Sequence, residues 1–550
     1  MSQPRLSLLA AGLCLALAWP LHAQEASAPS APAQATEAAA LPAQLADFDA
    51  YVEGVRREFD VPGIAVAIVK DGEVVFERGY GPRTLGQPQP VDAHTLFAIA
   101  SNTKAFTAAA LSILADEGKL KLDDRVVDHL PWFRMADAYV TREMRIRDLL
   151  AHRSGLSLGA GDLLYWPTTD YSTEEVARRL KDVPLTGQFR GQYAYDNILF
   201  GVAQLVVEQV GGMPFERFLQ TRILDPLGMD ETRFNADRLR PGDNVATGYA
   251  KADFKELRPA PLLTWHNVSG AGGLYASVHD MTRWMRMQLA GGRYTDAQGR
   301  EQRLFSEKRQ REMWSVLTPI PVRPPAVPEL AAATPNFQGY GEGWNLSDYR
   351  GRKLVWHTGG WPGMVSRLTL VPEAKLGVIV LTSQEVGSAF NAVTMRALDA
   401  FLDAPKTDWT AAYAAALAKQ RGKADEDWRK HLAARDVTSK PSLPLAGYAQ
   451  TYRDPWYGDV TVALEAGKPV IRFSHTPELV GDLEHWQHDT FVVRWRQRAL
   501  NADAFLSFAL TADGKVREAR MEPISPLTDF SFDFQDLRLA PVEQEKQQDE

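Results

Sequence analysis

Ser101 and Lys104 stand three residues apart in the segment Phe97-Ala98-Ile99-Ala100-Ser101-Asn102-Thr103-Lys104. A serine hydroxyl is a weak nucleophile at neutral pH and needs an adjacent base. At positions i and i+3 of a helix, two side chains share one face. If Ser101 opens that helix, its backbone N–H has no partner within the helix and lies at the positive end of the helix dipole. Such an N–H can donate to a developing oxyanion. Burial would lower the pKa of Lys104 and let it accept the serine proton. Alone, S-x-x-K is a spacing that ordinary composition supplies by chance, with Ser101 a helix cap and Lys104 a solvated side chain.

Two later segments change that reading. In Tyr195-Asp196-Asn197, Tyr195 can serve as a second base or a proton relay, and Asn197 can orient both Lys104 and a substrate amide. His357-Thr358-Gly359-Gly360 opens a strand, where glycines allow close approach of backbone to a ligand. The N–H of Gly360 is a candidate second oxyanion donor, and Thr358 a contact for a substrate carboxylate or carbonyl. Nucleophile, base and oxyanion strand in this order predict a serine acyl-transfer enzyme. His152, just after Asp148-Leu149-Leu150, reads as a structural histidine at a helix end. No His/Asp/Glu cluster has zinc spacing, and neither a Walker loop nor a G-x-G-x-x-G turn is present. No metal, cofactor or nucleotide is expected.

These residues need elements to hold them. Ile64 to Val69 and Glu73 to Arg78 flank Lys70-Asp71-Gly72, a strong hairpin signal. A helix is predicted from Ser101 to Glu117 with Gly118 as its C-cap. Residues 120–310 read as helical and loop-rich, with Gly270-Ala271-Gly272-Gly273 among them. Strands return at Ser366 to Val371 and Gly377 to Thr382, followed by a helix from Ala389 to Leu402. Strands from the two ends can share one sheet while the middle forms a second lobe. The expected fold is α/β, an antiparallel sheet flanked by helices plus a helical lobe, with a cleft between them. The segments Asp459–Glu465, Pro469–Phe473, Thr490–Trp495, Ala504–Leu510 and Val516–Met521 then predict a small all-β barrel or sandwich.

The ends and the composition bound the setting. The 550 residues exceed what one core supports. The net charge of −8 argues against a broad nucleic-acid-binding face. Arg5, the apolar run Leu6 to Trp19 and Leu21-His22-Ala23 read as a signal peptide over 1–23. That run is shorter than the roughly 20 residues of a spanning helix, so no stable membrane anchor is expected after cleavage. Cys14, the only cysteine, lies inside it, which leaves the mature chain without a thiol nucleophile, thiolate metal site or disulfide. The expected organisation continues with an Ala/Pro-rich disordered spacer (24–43), a hydrolase domain (44–405), a helical linker (406–440), the barrel (441–540) and a polar tail (541–550). The expected location is periplasmic or secreted in a bacterium. The expected partner is a small-molecule or short-peptide substrate.

The ordered set S-x-x-K, Y-x-N and H-T-G, with Leu149-Leu150-Ala151-His152-Arg153-Ser154-Gly155-Leu156 and Gly270-Ala271-Gly272-Gly273, resembles the serine β-lactamase and penicillin-binding-protein family. The resemblance runs from about Leu45 to Leu402 and points to the class C-like branch that includes D-Ala-D-Ala carboxypeptidases, D-aminopeptidases and esterases. It implies that Ser101 is acylated, that Lys104 and Tyr195 share the proton transfers, that Asn197 positions substrate, and that the N–H groups of Ser101 and Gly360 form the oxyanion hole. The strands near Tyr452-Arg453-Asp454-Pro455-Trp456 resemble a lipocalin-like domain appended to some of these hydrolases. One departure stands out. β-Lactamases of this branch carry Lys-Thr-Gly where this chain has His357, and histidine is near neutral at pH 7. A peptidase, amidase or esterase is therefore favoured over a β-lactamase or penicillin-binding protein, and over a non-catalytic peptidoglycan-binding homologue.

Overall fold

The computed structural model describes residues 41–543. The expected signal segment, the spacer up to Ala40 and most of the polar tail lie outside the described residues. From Leu41 onward the chain forms one compact unit.

Strands β1 (Ile64–Lys70) and β2 (Glu73–Tyr80) form the hairpin that Asp71-Gly72 predicts. Both turn residues have positive φ, 53° and 87°, as a two-residue type I′ loop requires. The sheet is completed by β3 (Thr318–Pro319), β4 (Gln338–Tyr340), β5 (Asn345–Tyr349), β6 (Arg352–Trp361), β7 (Met364–Val371) and β8 (Leu376–Thr382). Its order is β3-β4-β5-β6-β7-β8-β1-β2, antiparallel throughout. The β1–β8 pairing, Ile64 opposite Thr382, joins the two ends of the hydrolase segment.

Six of the helices bear on the sheet and the site: α1 (Phe48–Glu58), α4 (Val278–Leu289) and α5 (Gly387–Phe401) pack on the sheet, α2 (Thr103–Asp116) and α3 (Ile198–Gly211) pair in the helical lobe, and α6 (Trp409–Ala434) packs on α5. Ile64, Val66 and Ile68 pack with α1 and α5 on one face of the sheet. Ala65, Ala67 and Val69 pack with α4 and the helical lobe on the other. With both faces covered, β1 is apolar at every position but its last. Helix α2 is the axis of the lobe. Every residue from Thr103 to Leu114 is buried, polar ones included, as befits a helix enclosed on all sides.

The last hundred residues form a second eight-stranded sheet. Its strands are β9 (Thr451–Asp454), β10 (Gly458–Glu465), β11 (Lys468–Phe473), β12 (Val480–Gln487), β13 (Thr490–Trp495), β14 (Ala504–Leu510), β15 (Val516–Pro523) and β16 (Ala540–Pro541). The order is β15-β14-β13-β12-β11-β10-β9-β16. Ala519 and Leu539 exchange backbone hydrogen bonds of 2.8 and 3.2 Å, which bring β15 back to the segment before β16 and nearly close a barrel. Strands β9, β12 and β16 are additions to those expected. β9 and β16 are short, and β12 includes Gly481, Asp482 and Glu484, residue types with weak β-propensity.

Candidate active site

Ser101 lies in a 3-10 turn, Ala100–Asn102, that runs directly into α2. The α-helix proper therefore starts two residues after the predicted position. Ala100 has φ of +45°, a left-handed conformation that costs a residue with a Cβ about 1 kcal/mol or more. The turn is locked in place by its neighbours. Ser366 Oγ donates to the Ile99 carbonyl at 2.8 Å and accepts from Asn102 Nδ2 at 2.8 Å. Gly359 on β6 approaches so closely that a Cβ there would sit 2.1 Å from the Ile99 oxygen.

Lys104 is fully buried. Its Nζ lies 3.0 Å from Ser101 Oγ, 2.7 Å from Asn197 Oδ1 and 3.0 Å from the Ala271 carbonyl. The small residues around Ala271 let this turn pack tightly: a Cβ on Gly270 would sit 2.6 Å from the Phe200 carbonyl of α3, and one on Gly272 would meet the Trp265 ring at 2.5 Å. Burial lowers the Lys104 pKa to about 7, opposed by the charges of Asp162 and Asp196.

Tyr195 faces Ser101, and burial raises its pKa well above the usual phenol value. Its ring lies 4.9 Å from the Lys104 ammonium nitrogen. Asn197 precedes α3 and links two groups: its Oδ1 accepts from Lys104, and its Nδ2 donates to Asp162 Oδ2 at 2.9 Å. Asp162 and Asp196 are buried, and burial raises each carboxyl pKa to about 7.

Strand β5 pairs with β6 only as far as Trp356. From His357 to Trp361, β6 has β7 on one side and no strand on the other. His357 is buried at 2 % exposure. Its Nδ1 lies 2.6 Å from the Thr358 carbonyl and its Nε2 2.8 Å from the Tyr340 hydroxyl. A carbonyl only accepts, so Nδ1 carries the proton, and Nε2 can accept from Tyr340. Burial and the nearby Lys104 charge lower its pKa to about 3, which makes the ring neutral. Thr358 is partly exposed, and Gly360 is exposed with open space where a Cβ would go.

The structure thus brings together Ser101, Lys104, Tyr195, Asn197 and the strand His357 to Gly360. It adds residues that sequence reading did not single out. Asp162 and Tyr340 contact the set directly. The barrel contributes Phe530, whose ring stands edge-on to Tyr195 at 5.8 Å, and Ser531, whose Oγ donates to Asp162 Oδ2 at 2.8 Å. Asp533 accepts from the backbone N–H groups of Gly161 and Leu163 at 2.7 and 3.0 Å. The only sequence signal near these contacts is the glycine-rich run Gly159-Ala160-Gly161-Asp162. His152, read as structural, packs against Tyr195 and Tyr340 at 4.1 and 4.3 Å, and its Nδ1 accepts from the Asp196 N–H. Among the described residues no group of three His, Cys, Asp or Glu side chains could hold a metal ion.

Residues 48–401 match a family model described as Beta-lactamase, and residues 434–541 match one described as a domain of unknown function, DUF3471. The lipocalin likeness of the barrel stays a sequence expectation. An unguisins hydrolase of Aspergillus campestris is 28% identical over 442 residues, 76% of this chain and 77% of its own length. Protein flp of Staphylococcus aureus is 24% identical over 336 residues, 61% of this chain and 62% of its own. The octameric penicillin-binding protein homologue from Pyrococcus abyssi superposes with a TM-score of 0.57 at 21% identity, over 90% of this chain and 99% of that one. D-amino acid amidase from Ochrobactrum anthropi SV3 superposes with a TM-score of 0.53 at 22% identity, over 65% of this chain and 98% of that one. At these identities the solved structures bear on the fold.

Proposed function

Since the chain belongs to the beta-lactamase family of serine hydrolases, we propose that it is an exported hydrolase that forms an acyl-enzyme on Ser101, with small peptides, amides or esters, D-amino-acid ones included, as substrates. The observation that carries this reading is the surroundings of Lys104 Nζ. A neutral amine has two N–H groups and one lone pair. Donation to Asn197 Oδ1 and the Ala271 carbonyl uses both hydrogens and leaves the lone pair directed at Ser101 Oγ, 3.0 Å away.

In the resulting scheme Ser101 Oγ attacks the substrate carbonyl and its proton passes to Lys104. The Ser101 and Gly360 N–H groups receive the oxyanion. Collapse expels the amine or alcohol, which takes the proton from Lys104 through the Tyr195 hydroxyl. A phenol with so high a pKa acts as a relay rather than as a standing phenolate. Water then attacks the acyl-enzyme along the reverse proton path, releasing the acid and restoring the serine. Asn197 and Thr358 hold the substrate. Neutral His357 offers no fixed cation for a β-lactam carboxylate, which supports peptide, amide or ester substrates over β-lactams. Export rests on the N-terminal Arg5 and Leu6 to Trp19 pattern.

A panel of D-aminoacyl amides, a D-Ala-D-Ala peptide, short esters and a chromogenic β-lactam tests the substrate ranking. Turnover is expected on the first three classes. β-Lactam turnover that matches them would reverse the ranking in favour of a β-lactamase. Absence of turnover and of any acyl adduct would leave a binding homologue.

A further inference from the structure

His152 follows Leu150-Ala151 in the helical lobe and is fully buried. Its φ is +52°, a left-handed conformation that strains a residue with a Cβ. Three contacts join it to the segment around Tyr195. The Ala194 N–H donates to the His152 carbonyl at 3.0 Å. The Asp196 N–H donates to His152 Nδ1 at 3.2 Å. The imidazole and the Tyr195 ring have centroids 4.1 Å apart, tilted by 36°. Both neighbours of Tyr195 are thus tied to one residue. The Tyr195 carbonyl itself accepts from the Gly159 N–H at 2.9 Å.

A backbone N–H only donates, so Nδ1 is an acceptor and the ring proton sits on Nε2. Nε2 has no hydrogen-bond partner among the described residues. Tyr193, Phe200 and Tyr340 close in the ring, with centroids 5.7, 5.6 and 4.3 Å away. Burial and the Lys104 charge lower the His152 pKa well below the ordinary 6.5, so the ring stays neutral and keeps its acceptor. A buried N–H without a partner is unfavourable, and so is the strained backbone. An apolar side chain would fill this aromatic pocket without orphaning a donor. What the imidazole adds is the Nδ1 lone pair that holds the Asp196 N–H.

We propose that His152 is a positioning residue for proton transfer: its carbonyl and Nδ1 fix the backbone on either side of Tyr195 and so aim the phenol hydroxyl at the leaving group. The proposal rests on the serine-hydrolase reading above. A misplaced relay matters most where the leaving group must gain a proton as it departs. Benzyl alkoxide needs that proton, whereas p-nitrophenolate, a weak base, leaves without it.

The test compares benzyl acetate with p-nitrophenyl acetate, which share one acyl group, on the full-length enzyme. His152→Phe keeps an aromatic ring and loses the acceptor. Its ratio of kcat/KM, benzyl over p-nitrophenyl, is expected to fall about tenfold, part of the roughly 10²–10⁴ that a positioned acid contributes. His152→Asn can place Oδ1 near the Nδ1 position and accommodates positive φ, so it is expected to restore most of that ratio. Equal losses on both esters in His152→Phe, or no recovery in His152→Asn, would reduce His152 to packing. Melting temperatures check folding. Nitrogen NMR of wild-type enzyme labelled at histidine, with His152→Asn identifying the signal, is expected to show a neutral ring protonated at Nε2. A proton on Nδ1 overturns the proposal even if His152→Phe fails to fold. Labelling of wild-type Ser101 by a fluorophosphonate separates the two levels. Labelling with an unchanged ester ratio, or with no hydrolysis of benzyl acetate, overturns this inference alone. Absence of labelling overturns the serine-hydrolase reading and this inference with it.

Discussion

The Ser531 hydroxyl, on the last loop of the barrel, donates to Asp162 Oδ2 at 2.8 Å. The same oxygen accepts from Asn197 Nδ2, and Asn197 Oδ1 accepts from Lys104, which contacts Ser101. An unbroken chain of four hydrogen bonds therefore runs from the C-terminal barrel to Ser101, the proposed nucleophile. In the proposed mechanism Ser531 is a positioning residue, and the barrel is part of the candidate active site. Ser531→Ala removes a hydrogen bond to a charged group, worth about 1.5–3 kcal/mol. Its kcat/KM is expected to fall about tenfold. The Asp162 carboxylate, less stabilised, would support the Lys104 ammonium less, so the acidic limb of the pH profile should move to lower pH. Ser531→Thr keeps the hydroxyl and should restore both. An unchanged limb in Ser531→Ala would reduce the contact to packing.

In the proposed mechanism Lys104 sets the pH dependence. Its pKa is lowered to about 7 because burial disfavours the ammonium. Below that pH the lone pair is blocked by a proton; above it the base is free. The kcat/KM is expected to rise with pH through about 7. Lys104→Arg places a permanent cation there and should cost about 10²–10⁴-fold in acylation rate. A profile without an acidic limb near 7 would remove Lys104 from the role of base.

Two adjacent glycines should behave oppositely. A Cβ on Gly359 would press on the Ile99 carbonyl, which is backbone and cannot rotate away, whereas a Cβ on Gly360 meets nothing within 4 Å. Gly359→Ala is expected to destabilise the fold by about 1–3 kcal/mol and to displace the Ser101 turn. Gly360→Ala should melt like the wild type. Thermal unfolding of the two variants side by side checks this.

This contrast marks what the sequence makes legible. The hairpin β1–β2 follows from Asp-Gly between apolar runs, and Ser101, Lys104, Tyr195, Asn197 and His357 to Gly360 follow from short motifs with fixed internal spacing. The Ser531–Asp162 contact joins residues 369 positions apart. No local pattern encodes such a pairing, because it depends on how the barrel docks. The same holds for Tyr340, which meets His357 only through the register of β4, β5 and β6. β12 escapes notice for a different reason: its Gly, Asp and Glu residues weaken the strand signal, and barrel pairing overrides that local preference.

Buried carboxyls set a stability trend. Burial raises Asp196 from an ordinary 3.8 to about 7. Between these values the folded state binds more protons than the unfolded state, so this group's contribution to stability falls as pH rises from about 4 to about 7. Asp196→Asn removes the ionisation. The difference in melting temperature, variant minus wild type, is expected to be more positive at pH 8 than at pH 5. A pH-independent difference would contradict the raised pKa.

The central claim is a covalent intermediate on one serine. Treating the purified protein with a fluorophosphonate and mapping the adduct by peptide mass spectrometry tests it most directly. A single adduct on Ser101, absent in Ser101→Ala, is the predicted result. An adduct on any other residue, or labelling that persists undiminished in Ser101→Ala, would contradict the account.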